Sequence, residues 1–178
     1  MTQEEAKSAL NTRVLAEISI MVALSAALFQ VKLYQFPNGG EITMGSMVPL
    51  IVLSLRRGPL VGILAGGIFG GVVFLFEPFS LTPVQIMLDY PVAYGAVGLA
   101  GLFKKNPILG PVAGIGGRFI SHFLSGLFFF TTFLAGEPFV DAATFSAIYN
   151  ASYLIPEFII TESILILLLK RGAISAYL

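Results

Sequence analysis

Apolar residues gather in six blocks along the chain, covering roughly 14–34, 42–55, 59–76, 83–103, 108–134 and 145–169. Polar or glycine- and proline-rich breaks separate them. Five blocks approach the roughly 20 residues a helix needs to cross a hydrocarbon core, so the pattern predicts an all-α membrane protein of six transmembrane helices. The first block follows a tail carrying Glu4 and Glu5 and is too long for a signal peptide, so it reads as a retained helix. No stretch is left over for a soluble domain, and residues 1–178 read as one integral membrane domain.

Segment two is short. From 42 to 55, at 1.5 Å per residue, it reaches about 21 Å against a core of about 30 Å. The missing length adjoins Phe36-Pro37-Asn38-Gly39-Gly40. Irregular backbone sits at membrane depth only where protein buries it or it lines a cavity. Two readings follow: loop one (35–43) dips inward as a lid, or the helix tilts in a locally thinned bilayer.

Charge gives these helices a direction. Lys7 and Arg13 precede segment one, Arg56 and Arg57 follow segment two, Lys104 and Lys105 follow segment four, and Lys170 and Arg171 follow segment six. The opposite loops hold Glu41, Glu77, Glu137 and Asp141, with Lys32 at a helix end. The positive-inside rule then places both termini in the cytoplasm.

Composition agrees. Of 178 residues, 56% are hydrophobic and 11% charged, where soluble domains carry about 25% charge. A net charge of zero gives no case for nucleic-acid binding, and the absence of cysteine excludes disulfides and thiolate sites. No phosphate-cradling glycine loop with lysine, HExxH or GxSxG occurs, so nothing points to an enzyme.

Small residues mark close-packing faces. Gly62, Gly66 and Gly70 recur every four residues on segment three and predict close approach of a neighbouring helix within the bundle. Ala16, Ser19, Ala23 and Ala27 line one face of segment one, suited either to packing inside the bundle or to docking another membrane subunit. Arg13 and Glu17, four apart, predict a local ion pair.

Ionisable residues at membrane depth point to function. Segment four carries Asp89 about two turns in. Segment five carries Arg118, then His122, Ser125 and Phe129 on one face, and segment six aligns Asn150, Tyr153, Glu157 and Thr161. Arg118 at mid-membrane calls for a partner, Glu157 or Glu162, as a structural ion pair. Asp89 is then a surplus carboxylate at the depth of His122 and Asn150, which suits a cationic ligand. Phe79, Tyr90, Phe130, Phe145 and Tyr149 lie at comparable depth, either as interface belt and core or as rings for cation–π contact. His122 with Ser125 is also the pair an intramembrane hydrolase would need.

Four ordered motifs resemble one family. They are Phe36-Pro37-x-Gly39-Gly40-x-Ile42-Thr43 leading to Leu53-Ser54-Leu55-Arg56-Arg57-Gly58, Leu88-Asp89-Tyr90-Pro91, Arg118-Phe119-x-x-His122-Phe123-x-Ser125-Gly126, and Tyr149-Asn150-x-Ser152-Tyr153-x-x-Pro156-Glu157. Together they resemble the thiamine-specific S components of energy-coupling factor (ECF) transporters across essentially the whole chain. The resemblance implies a six-helix protein of a prokaryotic plasma membrane that binds thiamine, with no cofactor, under loop one. It implies Asp89 at the thiazolium end, His122 and Asn150 as polar contacts, Phe130 as a stacking ring, Tyr90 beside the acid and Gly40 in the lid. Phe145 stands where some relatives have tyrosine, removing one hydroxyl, and the chain lacks the tryptophan on which some relatives stack the ligand. Ala23 and Ala27 resemble the motif that docks S components onto a transmembrane coupling subunit, itself driven by two ABC ATPase subunits. Alternatives are an S component for another small vitamin or a thiamine precursor, a stand-alone carrier, and a ligand-free structural membrane subunit.

Overall fold

The computed structural model describes residues 11–36, 39–79, 82–133, 139–174 and 177–178, with the side chains of 130–140 left aside. Lys7, Pro37, Asn38 and Glu137 of the sequence patterns, and the side chain of Phe130, lie outside the described residues.

Helix α1 (Thr12–Phe29) starts where the Asn11 side chain accepts a hydrogen bond from the Val14 N–H, 3.0 Å away. It ends earlier than the apolar block suggested. Residues 32–35 leave the helix as strand β1 (Lys32–Gln35), which pairs antiparallel with β2 (Glu41–Thr43) in the register Tyr34↔Ile42 and Gln35↔Glu41. β-Pairing there satisfies backbone groups that a continuing helix would have satisfied internally.

Segment two is corrected in the same place. Ile42 and Thr43 belong to β2; Gly45 turns the chain with φ +83°, and helix α2 (Val48–Arg57) begins with Pro49 in its first turn. Ten residues rise only about 15 Å. Five helices among the described residues, not six, are therefore long and apolar enough to cross a membrane. Helix α2 is instead the centre of the bundle, with every residue from Val48 to Leu55 buried.

Gly58, at φ +99°, turns α2 into α3 (Pro59–Phe76). Helix α4 (Pro83–Phe103) winds unevenly, with a π turn over Leu88–Val92 and a 3₁₀ stretch over Val97–Phe103. Pro91 lacks an N–H and widens the first; Gly98 and Gly101, three apart, permit the second. Helices α5 (Leu109–Phe133) and α6 (Phe139–Lys170) complete the bundle.

The glycine face of α3 meets α4 backbone to backbone. A Cβ at Gly62 would lie 2.8 Å from the Gly98 Cα, and one at Gly66 or Gly70 would overlap the carbonyl of Tyr94 or Tyr90. This seam fixes the height of the π turn, and so of Asp89.

Helix α1 faces the bundle with Val14, Ile18, Val22 and Phe29, leaving Ala16, Ser19, Ala23 and Ala27 on its exposed side. Of the two readings of that small-residue face, packing inside the bundle is excluded. At the other end from the hairpin, Glu17 takes a paired bond from Arg57, at 2.7 Å to Nε, and lies 3.7 Å from Arg13.

Candidate functional site

The π turn of α4 points Asp89 at α5. Its Oδ1 lies 3.0 Å from His122 Nδ1, and its Oδ2 accepts from Ser125 Oγ at 2.8 Å. Ser121 anchors the same turn by donating to the Leu88 carbonyl at 2.6 Å. His122, Ser125 and Ser121 share one face of α5, which is why spacing alone brings them to the turn. Arg118, one helical turn back, donates from Nε to His122 Nε2 at 3.2 Å. His122 Nε2 is therefore an acceptor, Nδ1 carries the proton, and the imidazole donates to Asp89.

The direct Arg118–Glu157 ion pair expected from depth does not form: no carboxylate oxygen lies within 4.0 Å of the guanidinium among the described residues. Arg118 stacks on the Tyr94 ring at 4.2 Å and donates to Tyr94 Oη at 3.0 Å and Met47 Sδ at 3.2 Å. Glu157 turns to the hairpin, where the Thr43 N–H and Oγ1–H each donate to it at 2.6 Å. Two donors converging on one carboxylate replace a single cation, and the guanidinium spreads its charge over a ring, a sulfur and the imidazole that leads to Asp89. Glu162, the other expected partner, has both carboxylate oxygens buried without a hydrogen bond.

The hairpin roofs this network. Phe36 lies edge-on to Tyr149 at 6.2 Å and tilted against Tyr153, the Gly40 N–H donates to Tyr149 Oη at 2.9 Å, and Lys32 and Gln35 bond Glu77 at the end of α3. A Cβ at Gly40 would lie 2.5 Å from the Tyr153 ring, so only glycine lets β2 come this low. Tyr90 Oη donates to the Glu77 carbonyl and accepts from the Phe79 N–H, both at 2.7 Å, which closes the corner between α3 and α4. Glu41 points inward from β2 with Lys32 3.5 Å away.

Beneath the roof lies a cavity of about 860 Å³. Of the residues singled out from sequence, Gly40, Asp89, Tyr90, His122, Phe145, Tyr149 and Asn150 all line it, as do Arg118 and Glu157. Phe145 and Tyr149 are parallel rings 6.2 Å apart. Asn150 is fixed by giving its amide hydrogens to Ser146 and accepting from Tyr153 Oη at 2.6 Å. Ala23 and Ala27 are on the exposed side of α1, outside this cavity. Sequence reading missed Phe36, Glu41, Thr43, Ser46 and Tyr94 as cavity residues. Thr43 and Ser46 were hidden by treating 42–55 as one helix, whereas the glycine at 45 was a visible turn signal.

The wall thus offers a carboxylate, an imidazole, an amide and parallel rings, a set suited to a flat organic cation. Residues 15–175 match the family described as Thiamine transporter protein (Thia_YuaJ). The chain belongs to this thiamine transporter family. It is 32% identical over 174 residues to the thiamine transporter ThiT of Bacillus subtilis (strain 168), covering 86% of this chain and 88% of that protein. It is 27% identical over 136 residues to thiamine transporter ThiT of Lacticaseibacillus paracasei, covering 65% of this chain and 67% of that one. A solved structure of ThiT from Listeria monocytogenes superposes with a TM-score of 0.78 at 23% identity, covering 92% of this chain and 97% of that one. The thiamine transporter family therefore has its fold here: an all-α, multi-pass membrane bundle with a short buried second helix and a hairpin roof.

Proposed function

We propose that this chain binds thiamine in the roofed cavity and serves as the substrate-specific S component of an ATP-driven ECF importer. One observation carries the assignment to the cavity: Asp89, held by His122 and Ser125, sits on the wall of a chamber that also presents parallel aromatic rings. Thiamine is a permanent cation joined to a flat aminopyrimidine. A fixed carboxylate matches the thiazolium charge, His122 and Asn150 match polar ring atoms, and Tyr149, Phe145 and Tyr90 supply apolar faces. The size also suits a single small organic ligand.

In this reading the hairpin faces outward and both termini are cytoplasmic, in keeping with the Lys and Arg placement. Hairpin and α2 together cover the depth of one crossing. Residues 1–178 act as one membrane domain of a prokaryotic plasma membrane. The chain is a transport subunit with no nucleotide-binding motif, so a transmembrane coupling subunit and two ABC ATPase subunits supply the energy. Ala23 and Ala27, exposed on α1, form the docking face for the coupling subunit.

Calorimetry of the purified protein with thiamine, riboflavin and biotin tests this directly. Saturable binding of thiamine alone is expected; failure to bind it ends the reading.

A further inference from the structure

Ser121 stands on the face of α5 that carries both partners of Asp89, yet it bonds the backbone instead of the carboxylate. It is 5% exposed, does not line the chamber, and donates from Oγ to the Leu88 carbonyl at 2.6 Å. A peptide unit is planar, so fixing that carbonyl fixes the plane that ends at the Asp89 Cα. One residue further on, the Tyr90 carbonyl abuts Gly70, and Tyr90 Oη is bonded to Glu77 and Phe79. Asp89 is thus flanked by one grip from α5 and another from the α3 side.

The turn itself depends on such outside support. It contains Pro91, which brings no N–H to the helix ladder, and π turns are rare departures from α-helical bonding that recur at functional sites. The packing of α4 on α5 has its own basis. One and two turns back along α5, would-be Cβ atoms at Gly117 and Gly114 would lie 3.0 Å from Ala96 Cβ and 2.7 Å from the Val97 carbonyl. His122 and Ser125 hold the tip of the Asp89 side chain, and Ser121 holds its root. A carboxylate tethered at its tip alone keeps its charge but not its place, and a binding group serves its ligand only when held within about 0.5 Å.

We infer that Ser121 is a positioning residue for cation recognition: through the Leu88 carbonyl it sets where Asp89 stands in the chamber, without touching the ligand. The inference rests on the thiamine reading and deepens it, by placing part of the charge selectivity behind the cavity wall. Its signature is selective. Displacing Asp89 weakens attraction for a positive ring and leaves contacts to an uncharged ring of the same shape.

The test sets thiamine against a neutral isostere with a thiophene in place of the thiazolium, by calorimetry on wild type, Ser121→Ala, Ser121→Thr and Asp89→Asn. Wild type is expected to prefer thiamine, and Asp89→Asn to lose most of that preference. Ser121→Ala should weaken thiamine binding about 3- to 10-fold and change binding of the isostere less than about twofold. Ser121→Thr keeps the hydroxyl and should keep the preference. A role in folding alone would lower the unfolding midpoint and both affinities together. The chain has a single histidine, so nitrogen NMR reads its bond to Asp89 without ligand. The Nδ1 resonance should shift in Ser121→Ala and stay in place in Ser121→Thr. Equal weakening of both ligands in Ser121→Ala, no weakening of thiamine, an unshifted Nδ1 resonance, or a Ser121→Thr protein as unselective as Ser121→Ala overturns the inference alone. Wild type that binds no thiamine overturns the functional reading with it.

Discussion

Asp89 Oδ1 and His122 Nδ1 lie 3.0 Å apart, and the opposite nitrogen of the same ring accepts from Arg118. One imidazole thereby passes the orientation of a mid-helix guanidinium on to a carboxylate in a neighbouring helix. The carboxylate is held on two sides, by the ring and by Ser125, with its remaining acceptor positions directed to the chamber.

Asp89→Asn should therefore weaken thiamine binding about 100-fold, since both the charge and a charge-assisted contact go. Phe145→Tyr should change it by less than about threefold. Titration calorimetry on both variants checks the contrast; an Asp89→Asn protein that binds as tightly as wild type removes the cation argument.

Ser125→Ala deletes one of the two bonds that aim Asp89 while leaving its charge. A loss of about 3- to 10-fold in thiamine affinity is expected, with an unchanged unfolding midpoint. The same substitution also tests hydrolase chemistry, which would demand that a measurable cleavage disappear.

Thr43→Val keeps the shape of β2 but removes the hydroxyl that donates to Glu157 and accepts from the Ser46 N–H. The hairpin should open more often, and thiamine dissociation, followed by stopped-flow fluorescence of the tyrosines, should quicken about tenfold. An unchanged dissociation rate would separate the hairpin from ligand release.

Gly66→Ala forces a methyl group into the Tyr94 carbonyl, whereas Gly71, on the same helix, has nothing within 4 Å of a would-be Cβ. Gly66→Ala should cost about 1–3 kcal/mol and lower the unfolding midpoint in detergent, and Gly71→Ala should be neutral. Equal midpoints would mean that the α3–α4 seam can spread.

Ala23→Trp places a large ring on the exposed side of α1. Thiamine binding by the isolated chain should be unaffected, while co-purification with the coupling subunit and uptake by the assembled importer should fail. Normal uptake would move the docking face elsewhere.

Much of the site was readable from spacing. Asp89, His122 and Asn150 fall at matching depths once the direction of each helix is known, and the structure brings them to one chamber. The glycine ladder at 62, 66 and 70 likewise marked the α3–α4 seam, because no other residue type tolerates that approach. The Arg118–Glu157 pairing failed for a physical reason. Depth matching weighs only helix residues against one another, and the donors that capture Glu157 come from Thr43 in a hairpin. That hairpin was obscured because Leu33 and Tyr34 extend the apolar run of the first helix to residue 34, and only pairing with the strand at 41–43 makes them extended.

The hairpin is fastened differently on its two sides. Thr43 is buried where it meets Glu157, whereas Lys32 and Glu77 meet with side chains 18% and 31% exposed. Dissolved ions screen exposed charges over about 8 Å at physiological strength and scarcely touch buried bonds. On the proposed lid reading, higher salt should therefore loosen the Lys32–Glu77 edge while leaving the Thr43–Glu157 edge intact, and so shorten the time the vitamin is retained.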